Sequence, residues 1–130
     1  MDLKKFDSIT NADRGMRLYL EEPTQEDKEG AGLILLGADS SAMKAKDRDM
    51  QRRNREKKSQ LTPEEIEDQL FDRLVAATKG VFGKIKEGQK DFVFSAAEVE
   101  RMYRSYPEVA DKTTGFIFTR VNFFPTASMN

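Results

Sequence analysis

Apolar and polar residues alternate near the start of the chain, in the segment "MRLYLEE". Met16, Leu18 and Leu20 share one side of this period of two, which is typical of a β-strand with one buried face. After the turn residues of "PTQEDKEG", the apolar run "AGLILLG" predicts a second, more buried strand that is bounded by glycines. Because a short loop separates the two segments, we expect them to form an antiparallel hairpin.

Helix-start signals mark much of the remaining chain. In "LTPEEIEDQLFDRLVAATKGVFG", Thr62 is an N-cap residue, a proline follows it, and Glu65 completes a capping box. Ser95 gives a similar signal before "AAEVERMYRSY". A charged helix is predicted after Asp39 or Ser40, either of which can act as its N-cap.

The closing segment, residues 108–124, fits an amphipathic helix loosely, whereas its "FIFTRV" has a strand-like composition. We favour a helix. The predicted fold class is therefore α+β, with a small N-terminal antiparallel β-hairpin or sheet followed by about four helices. With 130 residues, the chain is predicted to be a single domain. We expect a flexible polar lead-in at 1–13, a charged helix and linker at 40–60, and a flexible tail at 125–130.

The charge balance changes this picture in one place. The formal net charge is −1, so no overall field attracts nucleic acid or a membrane surface. Residues 44–58, however, contain eight basic and three acidic residues, an excess of five positive charges. Such a helix binds nucleic acid through phosphates, docks on an acidic protein surface, or simply presents a solvated face. The absence of aromatic residues from this run favours the solvated face over nucleic-acid binding.

The residues needed for most catalytic sites are missing. The chain has no cysteine and no histidine, which excludes thiolate chemistry and removes the commonest general base and metal ligand. It also lacks a phosphate-binding glycine loop and a nucleophile elbow. We therefore expect no enzyme activity, no cofactor and no metal. No apolar run approaches the length of a membrane span, and the first residues lack a signal-peptide pattern, so we expect a soluble, cytoplasmic protein.

Two groups of apolar residues are candidate partner-binding sites. Met43 and Met50 lie seven residues apart on one face of the charged helix, where they contact a partner or pack on the sheet. Phe116, Phe123 and Phe124 crowd the closing segment. We assign the part from 116 to 121 mainly to the core, and we expect Phe123 and Phe124 to contact another chain.

The order of three segments resembles the tail assembly chaperones of long-tailed phages, the lambda-like minor tail protein family. The first segment is "GMRLYLEEPTQEDKEGAGLILLGADSSAMKAKDRD", the second is "LTPEEIEDQLFDRLVAATKGVFG", and the third is "FSAAEVERMYRSYPEVADKTTGFIFTRVNFF". Together they cover about residues 15–124. The chain departs from the family pattern at Phe82, where tryptophan is expected, and at Gly115, which argues against a continuous last helix.

The resemblance implies a function in virion morphogenesis. Proteins of this kind bind the tape measure protein, keep it soluble, and leave as the tail tube polymerises around it. They self-associate in the host cytoplasm, are absent from the mature virion, and in many cases also exist in a longer, frameshifted form that is a further partner. The alternatives are a nucleic-acid-binding adaptor that uses the basic 44–58 helix, and a structural tail completion protein.

Overall fold

The computed structural model describes residues 1–57 and 59–124, which form a mixed α+β fold. The predicted fold class is therefore confirmed. The predicted tail at 125–130 lies outside the described residues. In chain order, the elements are a 3-10 helix Leu3–Phe6, α1 Ser8–Arg14, β1 Met16–Glu21, β2 Ala31–Leu35, α2 Ser41–Glu56, α3 Pro63–Ala77, β3 Thr78–Phe82, β4 Lys86–Glu87, β5 Lys90–Asp91, α4 Ala96–Ser105, α5 Pro107–Ile117 and a second 3-10 helix Arg120–Phe123.

The main sheet has three antiparallel strands in the order β1-β2-β3. The predicted hairpin is confirmed, since β1 pairs with β2 and places Leu18 opposite Leu33. The third strand is not among the predicted elements: residues 78–82 end the segment "LTPEEIEDQLFDRLVAATKGVFG", whose start signals predict a helix. They pair instead with the far side of β2, where Val81 lies opposite Leu33 and Phe82 opposite Gly32. A second, two-stranded sheet joins β4 to β5 around a turn that contains Gly88.

One core cluster connects the central strand with four helices. Leu33 and Leu35 of β2 are fully buried, and side chains from α2, α3, α4 and α5 pack against them. Deep in this core, the Tyr103 hydroxyl lies 2.6 Å from Thr78 Oγ1, and the Thr78 hydroxyl donates to the Leu74 carbonyl oxygen at 2.7 Å. Burial raises the pKa of Tyr103, because the phenolate would lose its hydration.

The local capping signals act as predicted in two helices and in part in a third. Thr62 and Glu65 form a complete capping box at the start of α3. Ser40 caps α2 by accepting from the N–H of Met43. Ser95 caps α4 in the same way, whereas the Glu98 carboxylate turns to Arg101 rather than back to the cap.

The segments 1–13 and 108–124 contain more secondary structure than the sequence indicated. The predicted lead-in at 1–13 contains the first 3-10 helix and most of α1, in which Asn11 and Ala12 are buried, and its flexibility stays a prediction. The closing segment is helical, as predicted, but α5 ends at Ile117. Residues 120–123 then form a tighter 3-10 turn, which the helical reading of 108–124 did not anticipate.

Candidate partner-binding surfaces

Helices α1 and α5 meet on the segment that follows β2. The N–H of Gly37 donates to the Ala12 carbonyl of α1 at 3.2 Å, and the N–H of Ala38 donates to the Ile117 carbonyl of α5 at 2.9 Å. Phe123 fills the space beside Gly37, and a Cβ added to Gly37 would lie only 3.1 Å from its ring. A glycine at this position therefore allows the first and last helices to approach the same backbone.

An ion pair fixes the last turn to the residue before the α2 cap. Arg120 Nε lies 2.5 Å from one carboxylate oxygen of Asp39, and Arg120 Nη2 lies 3.1 Å from the other. Asp39 is 8% exposed, while the Arg120 side chain lies largely in solvent. The hydrogen bonds from Arg120 lower the pKa of Asp39 below its usual value, so the carboxylate is ionised at neutral pH.

Large apolar side chains remain exposed near α1 and after α5. We call them the terminal patch: Leu3, Phe6, Ile9, Phe118 and Val121, which are 70, 64, 48, 57 and 62% exposed. The half-buried Phe124 adjoins the patch. It lines an open groove of about 460 Å³ together with Lys5, Phe6, Ser8 and Arg120. Scattered single apolar residues are normal on protein surfaces, but α1 contacts the last 3-10 helix, and Phe6 and Phe124 line one groove, so we take this group as a candidate interaction site.

The five predicted partner-binding residues differ in how deeply the structure buries them. Met43, Met50 and Phe123 are 1, 0 and 3% exposed, so they belong to the interior, and the exposed position expected for Phe123 is wrong. Phe116 is half-buried and meets Phe123 edge-on, with ring centroids 5.4 Å apart. Phe124 keeps part of its ring exposed beside the terminal patch. Of the five residues, only Phe116 and Phe124 retain surface for a partner.

Packing between α2 and α3 explains why the two methionines are buried. The side chains of Asn54 and Gln69 exchange hydrogen bonds of 3.3 and 2.7 Å across the interface. Arg73 Nε lies 2.8 Å from Asp47 Oδ1, and Lys57 contacts Glu65. These polar contacts flank Met43 and Met50, so the two methionines face the core rather than a partner.

A second apolar groove, which sequence reasoning missed, lies beside the β4–β5 hairpin. Its volume is about 200 Å³, and its apolar lining comes from four separate segments: Leu20, Ile85, Phe92, Met102, Tyr106 and Val109. No local pattern could reveal it, because no two adjacent residues contribute to that lining. Val93 and Phe94, next to Phe92, are 72 and 43% exposed.

The rim of this hairpin groove is polar and charged. Arg101 Nη1 lies 3.0 Å from Glu87 Oε2, and Arg101 Nη2 lies 2.8 Å from Glu98 Oε2. The Tyr106 hydroxyl donates to Glu87 as well. Arg101, and then Tyr106, lower the pKa of Glu87. A carboxylate held in its ionised form does not donate a proton at neutral pH, so this cluster orders the rim and is a poor general acid.

The exposed side of α2 carries the third candidate surface. Lys44, Arg48, Arg52 and Arg55 follow one another at spacings of four, four and three residues, which places them on one helical face. All four are exposed. We call this face the basic stripe. Lys58, the last residue of the basic run, lies outside the described part of the chain.

Residues 1–57 and 59–124 contain no group of three or more His, Cys, Asp or Glu side chains that could hold a metal ion. Across the same residues, no helix has both the length and the apolar character required to span a membrane. No family model, curated protein or solved structure matches the chain.

Proposed function

We propose that this protein is a phage tail assembly chaperone that binds the tape measure protein, keeps it soluble during tail morphogenesis and self-associates. It acts in the host cytoplasm and is absent from the mature virion. The sequence resemblance of the three ordered segments supports this proposal. The structural observation that carries it is the terminal patch, a group of exposed apolar side chains on a chain in which 35% of the residues are charged.

The terminal patch suits a client that is itself a long helix. An amphipathic helix binds by laying its apolar face into an apolar groove. Phe6 and Phe124 line the groove together with Lys5, Ser8 and Arg120. Covering a large exposed side chain stabilises a complex by about 1.5–3 kcal/mol at most, so several residues must act together.

Co-expression with the tape measure protein tests the function. We expect the client to remain soluble and to co-purify with the chaperone. If the client is no more soluble than when expressed alone, and if it does not co-purify, the proposed function fails.

A pair of matched triple variants tests the site. Phe6→Ser, Phe118→Ser and Val121→Ser together remove three side chains of the terminal patch. Ile66→Ser, Val93→Ser and Phe94→Ser remove three other side chains that are 56, 72 and 43% exposed. We expect only the first variant to lose the client. Loss of the client in the second variant alone would move the site to the hairpin groove or to α3.

A nucleic-acid-binding adaptor is the second candidate function, and the basic stripe is the observation that favours it. Binding would then weaken steeply with salt, since each neutralised phosphate releases counterions. Reversal of the charges at Arg52 and Arg53 would abolish it. A structural tail completion protein is a further alternative, for which the protein would be detected in purified particles.

A further inference from the structure

The protein carries two exposed surfaces of opposite charge. Residues 44–55 of α2 contain six basic and two acidic residues, an excess of four positive charges. The loop between β1 and β2, together with the last residue of β1, spans 21–29 and contains five acidic residues and one lysine, an excess of four negative charges. We call residues 21–29 the acidic loop.

The basic stripe is a regular and largely unpaired array. From Lys44 to Arg55, the helix rises about 16 Å. Arg52 contacts Asp49 of the same helix at 2.6 Å, but no ion pair within the described residues involves Arg48 or Arg55. The acidic residue Asp47 turns inward to Arg73 instead. The outward face of α2 therefore keeps its positive charge.

The acidic loop is also unpaired and fully exposed. Every residue from 21 to 29 is exposed. A local turn orders the loop, since the N–H of Asp27 donates to Thr24 Oγ1 at 2.9 Å and the N–H of Glu29 donates to Asp27 Oδ1 at 3.2 Å. In the part of the chain that is described, none of the loop's glutamates forms an ion pair, and the loop does not pair with the basic stripe.

We propose that the basic stripe of one copy binds the acidic loop of a second copy. The equal and opposite charge excesses make the two surfaces complementary, and such complementarity sets the partner and speeds encounter. A nucleic acid strand is a poorer occupant of the stripe, because the stripe has no aromatic side chain on which bases could stack. Because the two surfaces differ, the contact is heterologous. A pair of copies then still has one free basic stripe and one free acidic loop. Further copies can bind there, so the mass of the complex rises with protein concentration.

This inference rests on the self-association in the proposed function and specifies its surfaces. Its test needs only the purified full-length chain, so it is independent of client binding. The stripe variant carries Arg48→Glu, Arg52→Glu and Arg55→Glu. The loop variant carries Glu22→Lys, Glu26→Lys and Glu29→Lys, and it leaves Asp27 in place because that side chain holds the turn.

The mass of each variant is measured by light scattering over a range of protein and salt concentrations. We expect the wild-type mass to rise with protein concentration and to fall as salt is added. The stripe variant alone and the loop variant alone should stay monomeric. A mixture of the two should associate, because the stripe of the first is now acidic and the loop of the second is now basic. A chain with all six substitutions has the wild-type net charge and associates again.

A matched control separates the surface from the net charge. Lys79→Glu, Lys84→Glu and Lys90→Glu change the net charge by the same amount as the stripe variant, at exposed positions outside the stripe. This control should associate like the wild type. Circular dichroism confirms that each variant is folded.

Two results would overturn the inference. One is a folded stripe variant that associates as the wild type does. The other is a six-fold variant that stays monomeric while the wild type associates. Binding of a DNA duplex by the wild type that is lost in the stripe variant, with self-association unchanged, would assign the stripe to nucleic acid instead.

Discussion

Arg120 and Asp39 lie 81 positions apart in the chain, yet the guanidinium of one meets both carboxylate oxygens of the other at 2.5 and 3.1 Å. The pair joins the last 3-10 turn to the segment that follows β2, beside the buried ring of Phe123. It therefore joins distant parts of the chain at the place where α1 and α5 meet, next to the proposed client surface.

Replacement of Arg120 by alanine should lower the free energy of unfolding by more than the control below, because the nearly buried Asp39 carboxylate loses its charged partner. Urea unfolding at neutral pH measures this loss. Arg14→Ala, an exposed arginine on α1 without an ion pair in the described part of the chain, should change stability by less than about 0.5 kcal/mol.

The same pair predicts a pH dependence. The pKa of Asp39 is lowered from 3.8 in the folded protein, so its contribution to stability is present above pH 3.8 and is lost as the pH falls through the folded-state pKa. The difference between wild type and Arg120→Ala should therefore shrink at acidic pH. A difference that is constant from neutral pH to strongly acidic pH would contradict this explanation.

A buried hydrogen bond between Thr78 and Tyr103 should show strong coupling. The single proton of the Thr78 hydroxyl goes to the Leu74 carbonyl, so Tyr103 donates to Thr78 Oγ1. Thr78→Val removes the acceptor that lies 2.6 Å from the fully buried tyrosine hydroxyl and should cost about 1–3 kcal/mol.

Tyr103→Phe should lower the free energy of unfolding by about 1 kcal/mol. The double variant should lose less stability than the two single variants together, because it contains neither of the two hydroxyl groups. A double-mutant cycle from urea unfolding measures the coupling. Strict additivity would show that the two hydroxyls do not depend on each other.

The sequence predicted those parts of the fold that depend on neighbouring residues. The capping box of Thr62 and the cap at Ser40 satisfy nearby backbone N–H groups, so their signals lie within a few positions. The β1–β2 hairpin likewise follows from a period of two on each side of a short loop. Strand β3 was missed because Val81 pairs with Leu33, 48 positions earlier, and nothing local distinguishes it from the end of an apolar helix.

The candidate surfaces were harder to predict, because periodicity shows which residues share a face but not what covers that face. Met43 and Met50 share a face, as predicted, and α3 covers it. After Ile117, the chain leaves the α-helix for a 3-10 turn, which rotates the following side chains relative to a 3.6-residue period. As a result, Phe118 and Val121 are exposed and Phe123 is buried, the reverse of the predicted arrangement.

Met50 provides a direct test of its assignment to the core. Its side chain has no exposed surface, so Met50→Ala should lower the free energy of unfolding by about 2–4 kcal/mol through lost burial and the cavity left behind. Ile66→Ala removes an apolar side chain of similar size from a position that is 56% exposed, and it should cost less than about 1 kcal/mol. Equal losses for the two variants, measured by urea unfolding, would contradict the placement of Met50 inside the α2–α3 interface.

Two glycines should respond in opposite directions to replacement by alanine. A Cβ at Gly32 would lie 1.9 Å from the Leu18 carbonyl oxygen, a backbone atom of the neighbouring strand. Gly32→Ala should therefore force β1 and β2 apart and cost at least about 2–3 kcal/mol.

Gly115 occupies helix α5 with no atom within 4 Å of an added Cβ. Gly115→Ala should raise the free energy of unfolding by about 0.5–1 kcal/mol, because alanine loses less backbone freedom in a helix. Thermal unfolding of the two variants beside the wild type measures both effects. A destabilised Gly115→Ala variant would indicate that this position is not part of a continuous helix in solution, and the terminal patch that follows it would then need a different description.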